Sequence, residues 1–395
     1  NYSDSMLLYH MSSKLKVLQV IPKLGHGGAE TGCYDLAHYL HENDCKSYIA
    51  TSGGELTKFI NKKKVKLIRL PVQSKNPILI LLNAFILTFI IIFYNINIVH
   101  ARSRAPAWSC LIACKITKCK FVTTFHGTYN FKSSIKKIYN SIMVKSDLII
   151  AGSNFIFSHI NEKYSKYLTP ERKFLVIFRG INIDYFNPKK IKYDDEIKLL
   201  KKWKIENKEN KIILLPGRLT PWKGQEMFIE SLSKLKNRYP EKKFVAIILG
   251  NDQGRKIYKK KLQRLVEQFR LNNEIKFIDS FNLMPLAYKI SDIVVSSSIE
   301  PESFGRVSVE AQSMEKPIIA SNIGGSRETI INDKTGFFFD AGDSSKLSEK
   351  IAEIISLSEL TLRGIGTEGR KNVVKKFNVE KMCFSTYSEY KKLIK

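Results

Sequence analysis

Glu302 and Glu310, eight residues apart in the stretch IEPESFGRVSVEAQSMEKP, have the types and spacing that most invite chemistry. Glu302 precedes, and Glu310 falls within, a short helical pattern that begins near Gly305 and runs over Val307 to Met314. A buried strand, Asp292 to Ser296, comes before it; a second, Pro317 to Ala320, and a glycine loop come after. The spacing is a little over two helical turns, so both carboxylates are able to look toward a ligand seated on the helix N-terminus. The unpaired N–H groups and positive dipole end near Phe304 and Gly305 suit a phosphate. Carboxylates beside a phosphate are electrostatically unfavourable unless they grip hydroxyls, as a sugar and a ribose require. The plainer alternative is a solvated helix residue and an acid favoured by the helix dipole.

Other stretches have the same strand, loop and helix grammar. In KIILLPGRLTPWKGQEMFIESL a strand ends at Pro216, the loop presents Arg218 and Lys223, and a helix begins near Gly224. A forked guanidinium and a point-charge ammonium at such a turn suit a diphosphate, although surface basicity is common in so lysine-rich a chain. Near the N-terminus, LKVLQVI leads into PKLGHGGAE and a helical pattern. This is not G-x-G-x-x-G; Gly25, Gly27 and Gly28 are better read as allowing a ligand to approach the backbone, with a plain tight turn as the alternative. His126 ends the strand 120–125, at the carboxyl edge of a sheet, where α/β proteins place ligand contacts.

The elements that position these residues alternate strand and helix in both halves of a 395-residue chain, long enough for two domains. Two doubly wound parallel sheets are expected. The net charge of +28 favours an anionic partner, whether nucleotide phosphate, nucleic acid or an acidic membrane surface. Nucleic acid is disfavoured because no aromatic platform or recognition helix is evident. The six cysteines show no paired framework, which suits a reducing compartment. Residues 1–14 read as a flexible tail and not as a signal peptide.

Pro77 to Tyr94 approaches the length of a bilayer span, but Asn83 and Thr88 interrupt it and a strand follows at once, so a domain helix is expected, one able to press against the membrane surface. The stretch FKSSIKKIYNSIMVK mixes Lys132, Lys136 and Lys137 with apolar residues, a pattern suited to an anionic lipid surface as well as to solvent. The polar run KKIKYDDEIKLLKKWKIENKEN reads as a linker.

The wording PESFGRVSVEAQSMEKPIIAS, with GGSRE following, resembles the Glu-x7-Glu signature of the retaining glycosyltransferases of family 4, also called group 1. GRLTPWKG resembles their diphosphate loop, FVTTFHG their sugar-contacting histidine, and FRGINIDYFNP their end-of-domain loop. The resemblance implies a GT-B fold, two Rossmann-like domains facing across a cleft. Residues 15–188 would form the acceptor domain, 189–375 the nucleotide-sugar domain, and 376–395 a helix crossing back to the first. It further implies retaining transfer from a nucleoside diphosphate sugar to a lipid-linked glycan or lipopolysaccharide-type acceptor, in cell-envelope or capsule assembly. Glu302 and His126 would act on the sugar, Glu310 on the ribose, and Arg218, Lys223, Phe304 and Gly305 on the diphosphate. No Asp-x-Asp occurs, so neither metal nor other cofactor is expected. The implied location is the cytoplasm, peripheral on the inner face of the membrane. Alternatives are a sugar-nucleotide epimerase on the same fold and a non-enzymatic protein anchored by residues 77–94.

Overall fold

The computed structural model describes residues 15–205 and 209–395; the expected flexible tail, 1–14, lies outside the described residues. Two units emerge: one runs to Arg179 and takes back Val379–Lys395, the other is Gly180–Asn378.

In the first unit, β1 (Lys16–Val20), β2 (Lys46–Thr51), β3 (Val65–Arg69), β4 (Ile98–Ala101), β5 (Lys120–Phe125), β6 (Leu148–Ala151) and β7 (Lys173–Val176) form one sheet. Its order is β3-β2-β1-β4-β5-β6-β7 and every pairing is parallel. The strands are short apolar runs because both faces are covered. Successive residues of β1 serve opposite faces: Leu18 packs with Leu87 and Ile91 of the Pro77–Tyr94 helix, and Val17 with Leu36 and Leu40 of the Gly28–Glu42 helix. The C-terminal helix, Val379–Ile394, joins that second face through Cys383 and Tyr390. Tyr390 also meets His100 Nδ1, whose Nε2 meets Thr124 Oγ1 at 2.7 Å, a buried polar ladder from this helix to β4 and β5.

The second unit has β8 (Lys211–Pro216), β9 (Phe244–Leu249), β10 (Ile275–Ile278), β11 (Ile293–Ser296), β12 (Ile318–Ser321) and β13 (Phe337–Phe339). Their order is β10-β9-β8-β11-β12-β13, again all parallel. Each sheet therefore has a switch point where the chain reverses its direction of growth, between β1 and β4 and between β8 and β11. Open α/β sheets bind ligands outside the strand carboxyl ends at such points.

The unit boundaries fall at 179/180 and 378/379, not at 188/189 and 375/376. The physical reason is that residues after Arg179 are bonded into the second unit: Ile181 bridges Asn378, and the Phe186 carbonyl accepts from Ser313 Oγ at 2.7 Å and Arg370 Nη1 at 2.8 Å. The stretch read as a linker contains a helix, Tyr193–Lys202. Asp194, Asp195 and Glu196 in its first turn and Lys201 and Lys202 in its last match the helix dipole, while Leu199 is its buried anchor.

Pro77–Tyr94 is helical, with the Asn76 side chain accepting from the Ile78 N–H at 2.9 Å and Asn95 closing the end in the left-handed region. Among the described residues it is the one helix long and apolar enough to cross a membrane. Asn83, Ala84, Leu87, Thr88 and Ile91 form its buried stripe, and the two polar side chains in that stripe bond the Pro71 and Ala84 carbonyls.

Candidate active site

Three loops at the carboxyl ends of β8, β11 and β12 interlock in the second unit. Gly224, after β8, has φ +73°, and a Cβ there would lie 2.0 Å from the Ser297 carbonyl oxygen after β11. Ser297 Oγ donates back to the Lys223 carbonyl at 2.9 Å, and the Ile299 N–H to the Trp222 carbonyl at 2.8 Å. The loop after β12 closes the assembly, with the Gly325 N–H donating to the Glu302 carbonyl at 2.7 Å. Gly224→Ala is expected to destabilise the unit by about 1–3 kcal/mol from backbone strain and to weaken nucleotide binding. A thermal melt with and without nucleotide checks both.

This interlock places Lys223 Nζ 2.7 Å from Glu302 Oε1, with the side chains 15% and 10% exposed. Ser298 Oγ donates to the same carboxylate oxygen. Burial pushes the Glu302 carboxyl up, but the Lys223 ammonium and the hydroxyls of Ser298 and Ser296 outweigh it, so the group sits below its ordinary value and is ionised. Next to it the Arg306–Ser313 helix starts at Gly305, φ +81°, with no side-chain cap. Buried Thr220 Oγ1 and Ser308 Oγ have no hydrogen-bond partner among the described residues. Cation, carboxylate and helix start together offer a charged sugar derivative both kinds of contact it needs.

Glu310 is on the helix, 7% exposed, with Arg306 Nε donating to Oε1 at 2.6 Å and Tyr288 Oη to Oε2 at 2.7 Å. Burial, and then the Glu310 charge, push the Tyr288 hydroxyl well up, so it stays a proton donor. Both Glu302 and Glu310 act on Tyr288, which puts the two acids in one neighbourhood. Helical spacing is not the cause: Glu302 lies in the loop, outside the helix. Phe304 turns its side chain inward against Phe377, with centroids 5.6 Å apart, so only its backbone suits the diphosphate role expected of it. Arg218 is exposed and has no ion pair among the described residues.

In the first unit His126 follows β5, and neither ring nitrogen has a hydrogen-bond partner among the described residues although both are buried. Burial, then the charges of Arg179 and Arg102, hold its imidazole well below the ordinary value. The ring is neutral, one nitrogen donating and the other accepting, as a pair of hydroxyls requires. Gly28 opens the Gly28–Glu42 helix and has the Arg179 guanidinium against it; a Cβ would lie 2.0 Å from Nη2. At Gly27 a Cβ would meet the Glu30 carboxylate, whereas Gly25 has open space. Of the lysine trio, Lys136 and Lys137 lie on the Ser134–Ser141 helix and Lys132 just before it. Arg102 and Arg179 here, and Ser298, Tyr288 and Arg306 in the second unit, were not singled out from the sequence. Of these only Arg306 carried a local signal, its four-residue spacing from Glu310.

The family described as glycosyltransferase family 4 matches residues 26–185, and that described as glycosyl transferases group 1 matches residues 196–371. A glycosyltransferase of Rickettsia africae is 39% identical, with a TM-score of 0.89, over 97% of this chain and 99% of that one. A glycosyltransferase of Methanocaldococcus jannaschii is 27% identical over 76% of each chain. Anabaena HepE, solved with UDP and glucose, shares the fold at 20% identity, with a TM-score of 0.81 over 96% of this chain and all of that one. The match to the D-inositol 3-phosphate glycosyltransferase of Corynebacterium efficiens, by contrast, spans 36% of that protein. With two doubly wound parallel sheets and an acid pair beside a cationic strand-to-helix loop, the chain belongs to the group 1, or family 4, glycosyltransferases of the GT-B fold.

Proposed function

We propose that this glycosyltransferase moves a sugar from a nucleoside diphosphate sugar to a hydroxyl of a lipid-linked glycan or lipopolysaccharide-type acceptor, retaining the anomeric configuration and using no metal. The observation that carries the reading is the Lys223–Glu302 pair at the β8/β11 switch point, beside the uncapped start of the Arg306–Ser313 helix. Lys223 and the exposed Arg218 face the diphosphate, and the helix dipole adds to them as negative charge develops on the leaving group. Glu302 accepts hydrogen bonds from the sugar hydroxyls, and Glu310 keeps lone pairs for the ribose beyond those used by Arg306 and Tyr288. The neutral His126 suits a sugar hydroxyl.

Retention follows without an enzyme nucleophile if the acceptor oxygen bonds the anomeric carbon on the face the diphosphate leaves. The acceptor proton then passes to the departing phosphate oxygen. UDP is the first nucleotide to test, because HepE was solved with it. The enzyme works in the cytoplasm, peripheral on the inner face of the membrane, where the Lys132, Lys136 and Lys137 cluster meets anionic lipid and the acceptor is anchored.

A thermal-shift panel with UDP, GDP, ADP and their sugar conjugates, with and without EDTA, tests the reading. A ligand at a hundred times its Kd stabilises by about 2.7 kcal/mol, so one nucleotide family is expected to raise Tm clearly, and EDTA to leave the shift intact. No shift with any nucleotide removes the reading, and a shift abolished by EDTA removes metal independence.

A further inference from the structure

We propose that the outward face of the Pro77–Tyr94 helix lies flat in the interfacial layer of an anionic bilayer, with basic residues of the same unit as its rim. Ile78, Leu81, Leu82, Phe85, Phe89, Ile92 and Phe93 are all at least half exposed, up to 79% at Phe93. Their three- and four-residue spacing makes one continuous stripe along 18 residues. The opposite stripe is committed: Leu87 and Ile91 are in the core beneath β1 and β4, and Ser109 Oγ donates to the Ile80 carbonyl at 2.9 Å from the neighbouring Arg104–Thr117 helix. Crossing a bilayer would tear that stripe from the sheet. Lying on the surface costs none of these contacts and removes the outer stripe from water.

Charge identifies the occupant. From Leu56 to Ser146 the chain has no Asp or Glu and has 16 Lys and Arg, more than half of the net +28 in under a quarter of the length. A second copy of the chain would bring this basic segment against itself, whereas anionic headgroups complement it. Cations stand at both ends of the helix: Lys75 two residues before Pro77, and Lys66 with Nζ 4.4 Å from the centre of the Tyr94 ring. Lys145 lies over the Trp108 ring, and Trp108 Nε1 donates to the Tyr139 carbonyl, which ties in the Ser134–Ser141 helix with its exposed Ile135 and Ile138. An apolar strip inside a cationic rim is the layout of a surface that sits at headgroup depth.

The inference rests on the membrane part of the proposed function and is independent of the sugar chemistry. The test is co-sedimentation of the purified full chain with vesicles of phosphatidylglycerol and phosphatidylcholine in equal parts, against phosphatidylcholine alone. The wild type is expected to bind the anionic vesicles, and Phe85→Ser/Phe89→Ser to lose about tenfold or more while keeping its melting behaviour, since both rings are already exposed. Equal binding by that variant overturns the inference and leaves the lysine cluster as the docking element, which Lys132→Ser/Lys136→Ser/Lys137→Ser reads separately. Absence of wild-type binding overturns both. A wild-type dimer that the Phe pair variant dissociates also overturns it, because a second copy then covers the face. Phe85→Trp supplies an independent reading with brominated lipids: quenching by shallow bromines supports the flat placement, while quenching only by deep bromines, or none, refutes it.

Discussion

Glu302→Gln is expected to lower kcat roughly 10²-fold while leaving affinity for the nucleoside diphosphate almost unchanged. The amide keeps the size of the side chain but loses the charge that orients Lys223 and one of the two acceptor oxygens that, in the proposed function, take hydrogen bonds from sugar hydroxyls. Lys223 keeps its own charge for the diphosphate contact proposed for it. Steady-state kinetics with calorimetric titration of the nucleotide separates the two effects, and unchanged turnover would remove Glu302 from the chemistry. The same variant has a pH signature. The folded Glu302 carboxyl sits below its ordinary value, so its stabilisation is present above the unfolded value and is lost as pH falls through the lower, folded one. The stability gap between wild type and Glu302→Gln is therefore expected at neutral pH and should close on acidification. Paired urea titrations at pH 7 and at a pH below the carboxylate range measure it.

Much of this site was legible because strand ends and turn formers are local signals. Pro216, Gly224 and Gly305 punctuate short apolar runs, and punctuation of that kind places loops at sheet edges without knowledge of the rest of the chain. The acid spacing was legible for a different reason than the one operating: Glu302 reaches the neighbourhood of Glu310 through the loop that Gly325 and Ser298 hold, not along a helix face. The pairing of Lys223 with Glu302 joins residues 79 apart, and no local pattern encodes such a meeting. His126 was legible as a strand-end residue, but its neutrality arises from burial and from Arg179 and Arg102, which lie in the loops after β7 and β4. The Tyr193–Lys202 helix shows the converse case. Its one buried anchor made it look like a linker, while the acid-to-base order of its charges carried the helical signal.

Lys223→Met is expected to destabilise the second unit by about 3–5 kcal/mol, the usual consequence of leaving one half of a buried ion pair uncompensated. Glu302 would retain only the hydroxyls of Ser298 and Ser296 against the burial that raises its carboxyl, and part of the effect would appear as proton uptake. Adding Glu302→Leu should recover most of the lost stability, since apolar groups of similar volume can replace a buried pair with little net effect. It should recover no turnover, because the cation proposed for the diphosphate and the acceptor proposed for the sugar hydroxyls are then both gone. The cycle of two single variants and the double, read by melting temperature, UDP-induced shift and kcat, separates folding from chemistry. A double variant as unstable as the singles summed would show that the 2.7 Å contact is not energetically coupled. A stable double variant that still turned over would place the transferase machinery elsewhere in the unit.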